Sequence, residues 1–220
     1  EHMNRVLNGE IGKKIFDDIA AQTGVRPLAA FYLGTRQLNL RDLGREVRKP
    51  QDMKGVKLRM PSSPAYIALG KALGGNVTPM SFGEVYLGLK TGAIDGQDNP
   101  LPTDKNAKFY EVTKYIILTD HVVASVWPTI NEKKWQSLSS SDRDLVMKAI
   151  DKAREACAKQ NLETEGGILK FFKEQGMIII DNPDKKAFAE YAKNSYQTES
   201  KPISSKWDWA LYERIQALRP

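Results

Sequence analysis

The side chains able to do chemistry are few in this sequence, and they are easily tested against the usual patterns. There are two histidines, His2 and His121, and a single cysteine, Cys157. Neither histidine stands in a ligand pair such as HExxH, so a zinc site lacks its donors. The nucleophile elbow Gly-x-Ser-x-Gly, the P-loop and Gly-x-Gly-x-x-Gly are absent, which removes the usual marks of acyl-transfer and nucleotide chemistry. No cofactor is expected. His121, after Thr119-Asp120, is the one distinctive titratable group. It suits either a general base in a small-molecule enzyme or a hydrogen-bonded structural histidine beside apolar strands. Cys157 falls in a helical apolar pattern and reads as a small buried hydrophobe.

Arg59 stands apart from the other basic residues. It lies in Val56-Lys57-Leu58-Arg59-Met60, an alternating run that ends at Pro61. A guanidinium beside a core is costly unless an anion pairs with it. At the carboxyl end of a strand in an open α/β sheet, ligands bind in the adjoining crevice. Arg59 therefore suits a bidentate clamp on a ligand carboxylate. An internal salt bridge is the alternative, and the local sequence leaves both open.

The elements that must position these residues follow from periodicity and punctuation. Ile11, Ile15, Phe16 and Ile19 recur at helical spacing before Gly24. Val25 to Leu33 is β-compatible and is expected to break at Gly34, and Asn39 to Lys49 reads as a loop or hairpin. Ser63-Pro64 opens a helix closed by Gly74-Gly75, and Asn76 to Met80 is extended. Ser81 and Glu84 form a capping box for the helix to Thr91, and Gly92 to Gly96 leads into a short strand. Tyr115 to Leu118 and Val122 to Val126 read as two strands. The segment from about Ser140 to Phe172 reads as one long helix, with Leu145, Val146, Ala149, Ile150, Ala153, Ala156 and Cys157 on one face and a kink site at Gly166-Gly167. Met177 to Ile180 is a strand, and Phe188 to Tyr196 and Trp207 to Leu218 are amphipathic helices. Strands alternating with helices through short glycine-bearing connections imply an α/β sheet.

Composition sets the outer bounds. The 220 residues, 41% hydrophobic and 27% charged, have the balance of an ordinary globular protein, long enough for one large domain or two lobes. The formal charge is +6, but bases are interleaved with acids, as in Asp151-Lys152-Ala153-Arg154-Glu155. A nucleic-acid binder concentrates its charge, so no nucleic-acid partner is expected. No run approaches the roughly 20 apolar residues of a membrane span, and the chain is not expected to be membrane-embedded. It opens on the polar run Glu1-His2-Met3, which reads as mid-element, and no signal peptide is expected within these residues.

Four ordered motifs carry a resemblance. Met53 to Pro61 is similar to the strand-and-arginine motif of the DctP-like solute-binding proteins of TRAP transporters. Pro79-Met80-Ser81-Phe82-Gly83-Glu84-Val85-Tyr86, followed by Leu89 to Pro100, resembles that family's longest signature. Lys108 to Tyr115 and Thr119-Asp120-His121 follow in the expected order. The resemblance covers essentially the whole chain, with one departure: in the family an opening set of βα units precedes the equivalent of Glu1.

The resemblance implies an α/β, two-lobe periplasmic-binding-protein fold with a ligand cleft between the lobes and a long bridging helix. Residues 1–33 and 125–165 are expected in lobe I, whose front is absent, and 34–124 and 166–190 in lobe II. Residues 191–220 are expected as a C-terminal helical segment packing across the lobes. Arg59 matches the arginine that grips the ligand carboxylate, and Arg36 a second, more variable one. Asn99 matches the signature asparagine and Phe82 the signature aromatic, which also reads as helix-start core. Asn39, Gln97 and Trp127 resemble cleft-facing positions. The implied function is capture of a small organic acid in the periplasm by cleft closure and delivery to TRAP membrane permease subunits, without catalysis. Arg36-Gln37-Leu38-Asn39-Leu40 suits a uronate or other sugar acid; a C4-dicarboxylate or a 2-hydroxy or keto acid is the alternative.

Overall fold

Alternation at Leu58-Arg59-Met60 turns Leu58 and Met60 toward an apolar core and Arg59 toward the opposite face of the same strand. That strand belongs to a computed structural model describing all residues 1–220. In chain order α1 (His2–Leu7) and α2 (Glu10–Thr23) lead to β1 (Val25–Pro27) and β2 (Phe31–Leu40). Then come β3 (Lys57–Met60), α3 (Pro64–Ala72), β4 (Asn76–Pro79), α4 (Val85–Thr91), β5 (Gly96–Pro100) and α5 (Leu101–Asn106). β6 (Tyr115–Val126), β7 (Thr129–Asn131), α6 (Glu132–Ser137) and α7 (Ser140–Glu174) follow. The chain closes with β8 (Ile178–Ile180), α8 (Lys185–Gln197), α9 (Lys201–Ser204) and α10 (Trp209–Gln216).

The chain divides into two compact units. One comprises Glu1–Gly34, Val123–Glu163 and Asp208–Pro220; the other comprises Thr35–Val122 and Thr164–Trp207. β2, β6 and α7 each contribute residues to both.

The larger unit is built on a mixed sheet of order β4-β3-β5-β2-β6-β8. β3 runs parallel to β4 and β5, β6 parallel to β8, and β2 antiparallel to β5. Ile116 and Ile117, adjacent on β6, enter different cores because successive side chains leave opposite faces. Leu38, Leu40, Leu58, Met60, Ile117 and Phe188 form one core, while Ile116 packs with Leu101, Ile168 and Phe172. A third cluster joins Val85, Leu89, Ile94 and Phe109. Ser81 and Glu84 form the anticipated capping box on a short 3-10 turn that leads into α4. At Gly96 an added Cβ would lie 2.2 Å from Leu40 Cδ2 and 3.0 Å from the Asn39 carbonyl oxygen, so a larger residue would have to push the buried Leu40 side chain aside.

In the smaller unit β1 and β7 form a two-stranded antiparallel ribbon against α2. Arg26 ties it together: Nε and Nη2 donate to Glu132 at 2.5 and 2.9 Å, and Nη1 donates to Asp17 at 2.6 Å.

Three sequence expectations are corrected. Gly34 does not end the strand; it sits inside β2 at φ 122°, a conformation glycine adopts freely. β2 therefore continues through Asn39 and Leu40, and the loop starts only at Arg41. Likewise the two strands expected around 115–126 are one, β6, which passes through Asp120 at φ 49°. Asp120 is held there by Gln37, whose Oε1 accepts from its backbone N–H at 3.0 Å. In α7 the apolar face expected over the first half is only partly inward: Val146, Ile150 and Cys157 are half-buried, while Ala149, Ala153 and Ala156 are exposed. Leu145 is 68% exposed, whereas Arg154 and Asn161 turn inward to Asn4 and the Tyr32 carbonyl.

Candidate functional site

Arg59 lies at the carboxyl end of β3, Gln97 and Asn99 lie on the neighbouring β5, and the antiparallel β2 brings Asn39 opposite Gln97 and Arg36 opposite Pro100. β5 is the unusual strand. Gly96-Gln97-Asp98-Asn99-Pro100 is buried throughout although three consecutive residues are polar. Such a strand persists only if each side chain finds a partner.

Arg59 is 3% exposed. Its Nε donates to the Met80 carbonyl at 2.9 Å, and its Cζ stands 6.0 Å from the centre of the Phe82 ring. No carboxylate lies within ion-pair distance of its guanidinium, and Nη1 and Nη2 donate to no protein acceptor. Burial pulls Arg59 below the ordinary arginine value; the charge of Asp98 opposes that shift and the charge of Arg36 adds to it. Arginine remains a cation under this pull.

Arg36 is differently placed. Its Nε donates to Asp98 Oδ2 at 2.6 Å, and Nη2 to Asp98 Oδ1 at 3.0 Å and to the Asp98 carbonyl at 2.5 Å. The other face of the guanidinium covers the Tyr66 ring at 5.2 Å. Burial lowers the Arg36 value, but the hydrogen bonds and charge of Asp98 outweigh it and leave it raised. Asp98 answers in kind. Burial pushes its carboxyl up, yet hydrogen bonds from His121 and Arg36 bring it down to about 2.

His121 is engaged at both ring nitrogens. Nε2 lies 3.1 Å from Asp98 Oδ2 and Nδ1 2.7 Å from Thr119 Oγ1. An ionised carboxylate only accepts, so Nε2–H is the donor toward Asp98. Of the two readings of His121 that the sequence left open, the hydrogen-bonded one describes its surroundings.

Asn99, Gln97 and Asn39 form one buried row. Asn99 Nδ2 donates to Gln97 Oε1 at 2.5 Å, and Gln97 Nε2 donates to Asn39 Oδ1 at 3.1 Å and to Asp104 Oδ1 at 2.8 Å. Burial raises the Asp104 carboxyl well above its ordinary value, against the Gln97 hydrogen bond, and its Oδ2 meets no partner. Phe82 is 50% exposed, with its ring 5.8 Å from that of Phe109. Trp127 is in the smaller unit, 5.1 Å from the Phe16 ring, and donates from Nε1 to Ser125.

The sequence reading missed Asp98 and Asp104. Asp98 stood inside a quoted motif, and its signal was three consecutive polar residues in a strand that must be buried. Asp104 carried no local signal, since its burial depends on how α5 packs. The set as a whole holds two guanidinium cations, one neutralised by a carboxylate and one not. Its complement is an anion.

Known proteins resemble this chain over most of its length. Residues 1–201 match the family described as DctP, bacterial extracellular solute-binding protein, family 7. The sialic acid-binding periplasmic protein SiaP of Vibrio cholerae is 37% identical over 197 residues, 90% of this chain and 60% of that protein. The chain thus spans about three fifths of the length of the curated relatives it matches. A TRAP periplasmic solute-binding protein of Roseobacter denitrificans, solved with bound 3-deoxy-D-manno-oct-2-ulosonic acid, superposes with a TM-score of 0.92 at 38% identity. That match covers 99% of this chain and 71% of the other. A second from Roseobacter denitrificans OCh 114, with bound L-galactonate, gives a TM-score of 0.81 at 36% identity, covering 93% and 68%. The mixed α/β architecture, the long helix over residues 140–174 and the family match agree, and the chain belongs to the DctP family of TRAP solute-binding proteins.

Proposed function

We propose that the protein captures a sugar acid in the periplasm and delivers it to the membrane subunits of a TRAP permease. The observation that carries this reading is the buried Arg59 guanidinium, which has no carboxylate of its own. A ligand carboxylate would take both free ends of the fork in a bidentate pair. Asn99 would bind beside it, and Phe82 would lie against the ligand's carbon skeleton. A few charge-assisted hydrogen bonds, each worth roughly 1.5–3 kcal/mol, supply micromolar affinity after ordering costs.

The charge count also separates the ligand classes. A C4-dicarboxylate asks for two free cations, but Asp98 already neutralises Arg36. One unpaired guanidinium suits one carboxylate, and the buried amides suit a hydroxylated body. Sialic acid, 3-deoxy-D-manno-oct-2-ulosonic acid and L-galactonate, named for the relatives above, are all of that kind. The non-catalytic reading rests on the family match, and His121, hydrogen-bonded to Asp98 and Thr119, is read as holding the Asp98 carboxylate toward Arg36. No helix is long and apolar enough to cross a membrane.

A thermal-shift screen of the purified chain against monocarboxylate sugar acids, succinate, malate and 2-oxo acids tests the reading. The expected result is a concentration-dependent rise for one sugar acid and none for succinate. A larger rise with succinate would overturn the sugar-acid assignment, and no response to any acid would count against capture itself.

A further inference from the structure

The side-chain amides of Asn39, Gln97 and Asn99 are each at most 6% exposed, and their directions are not independent. Which end of an amide is oxygen is decided by the groups it meets. Asn39 Nδ2 lies 3.1 Å from the Tyr115 carbonyl, which can only accept. It also lies 2.9 Å from Thr113 Oγ1, whose single proton goes to the Phe109 carbonyl at 2.7 Å. Two backbone carbonyls, one direct and one through a hydroxyl, therefore fix the NH2 end of Asn39. Its Oδ1 must then face Gln97, so Gln97 presents its NH2 group to Asn39 and to Asp104 Oδ1. Both Gln97 protons are then engaged, and its Oε1 faces Asn99, which must donate from Nδ2. Each link leaves the next only one orientation.

We infer that Asn39, Gln97, Thr113 and Asp104 are positioning residues that lock the direction of the Asn99 amide, and that Asn99 Oδ1 accepts a hydrogen bond from a hydroxyl of the bound acid. One N–H of Asn99 is held by Gln97, while Oδ1 and the second N–H have no protein partner. Arg59 offers only donors, so Asn99 Oδ1 is the acceptor in the pair Arg59–Asn99. A ligand lacking a hydroxyl there leaves a desolvated acceptor unmatched, a strong basis for discrimination. The hydroxyl assignment rests on the proposed capture role; the locking of the amide does not.

Side-chain amide NMR on the 15N-labelled chain, without ligand, tests the lock. One Asn99 amide proton should exchange slowly and show coupling across the hydrogen bond to the Gln97 carbonyl. Gln97→Met should remove that protection while the backbone amides of β5 stay protected. Asp104→Asn, which keeps an oxygen facing Gln97, should retain it. If Gln97→Met does not fold, Asp104→Leu carries the test through a smaller loss of Asn99 protection. Unchanged protection of Asn99 in Gln97→Met, or in Asp104→Leu where that is used, overturns the lock. Calorimetry with sialic acid, 3-deoxy-D-manno-oct-2-ulosonic acid and L-galactonate, each against hexanoate, tests the hydroxyl. Gln97→Met should lose about tenfold on the sugar acid that wild type binds best, and under twofold on hexanoate. Equal losses on both overturn the acceptor role. If wild type binds none of the sugar acids, the hydroxyl assignment and the capture reading fail together, and the NMR result alone decides the lock.

Discussion

Arg36 meets Asp98 through Nε and Nη2 at 2.6 and 3.0 Å, while the neighbouring buried guanidinium, Arg59, meets only a backbone carbonyl. This asymmetry separates the two roles. A paired buried cation holds structure in place, and removing its partner is expensive. On the proposed reading, the unpaired one is left for the carboxylate of a bound acid.

Arg59→Lys tests the second role. The ammonium keeps the charge but loses the planar fork, so one of two parallel hydrogen bonds goes. Affinity for the best sugar acid should fall at least tenfold, about 1.4 kcal/mol by calorimetry, with the melting temperature of the unliganded protein nearly unchanged. Binding within threefold of wild type would make Arg59 a structural cation.

Asp98→Asn tests the first. It leaves Arg36 buried without its counter-charge, at a cost of about 3–5 kcal/mol in chemical denaturation at pH 7. The wild-type carboxyl, depressed from 3.8 to about 2, binds fewer protons folded than unfolded between those values. Its contribution, about 2 kcal/mol, is therefore full above pH 3.8 and is lost as pH falls through 2. The variant's stability should fall less steeply over that window; parallel curves would remove Asp98 from the acid response.

Asp104 runs the other way. Its carboxyl is raised by burial, so the folded state holds a proton that the unfolded state releases above pH 3.8. Stability from this group is full below 3.8 and declines as pH rises toward the folded value. Asp104→Asn, neutral in both states, should be more stable than wild type at pH 7, and that advantage should shrink toward pH 3.5. Melting curves at the two pH values check it. A variant less stable at pH 7 would mean that Asp104 is ionised in the fold.

Much of this was legible in the residues. Arg59 could be singled out because a guanidinium between Leu58 and Met60 violates the apolar logic of its strand. The capping box at Ser81-Glu84 and the long helix from Ser140 rest on local spacing, which the fold had no reason to override. What stayed hidden depended on partners distant in sequence. Arg36 and Asp98 are 62 residues apart and meet because β2 and β5 pair in one register. The interior position of Asp120 in β6 likewise depends on Gln37, 83 residues away. Leu145 faces outward, while Arg154 and Asn161, about half a turn away round the helix, find acceptors that no window of sequence displays.

Phe82 separates core from site most directly, since the sequence supported both readings. Half of its surface is exposed; the Arg59 guanidinium stands over its face, and the Phe109 ring packs against it at a tilt. A fully buried phenylalanine truncated to alanine loses about 3–5 kcal/mol. For a half-exposed ring the transfer term is much smaller, so Phe82→Ala should cost about 1 kcal/mol or less in stability. Its effect on binding should be larger in proportion. The ring forms a face of the Arg59 environment, and its loss lets water reach the guanidinium and weakens the ion pair made with a ligand carboxylate. A five- to tenfold loss of affinity for the best sugar acid is expected, measured by calorimetry beside a urea titration of the same preparation. A loss of stability in the buried-phenylalanine range with affinity unchanged would instead assign Phe82 to the core with Phe109 and remove it from the site.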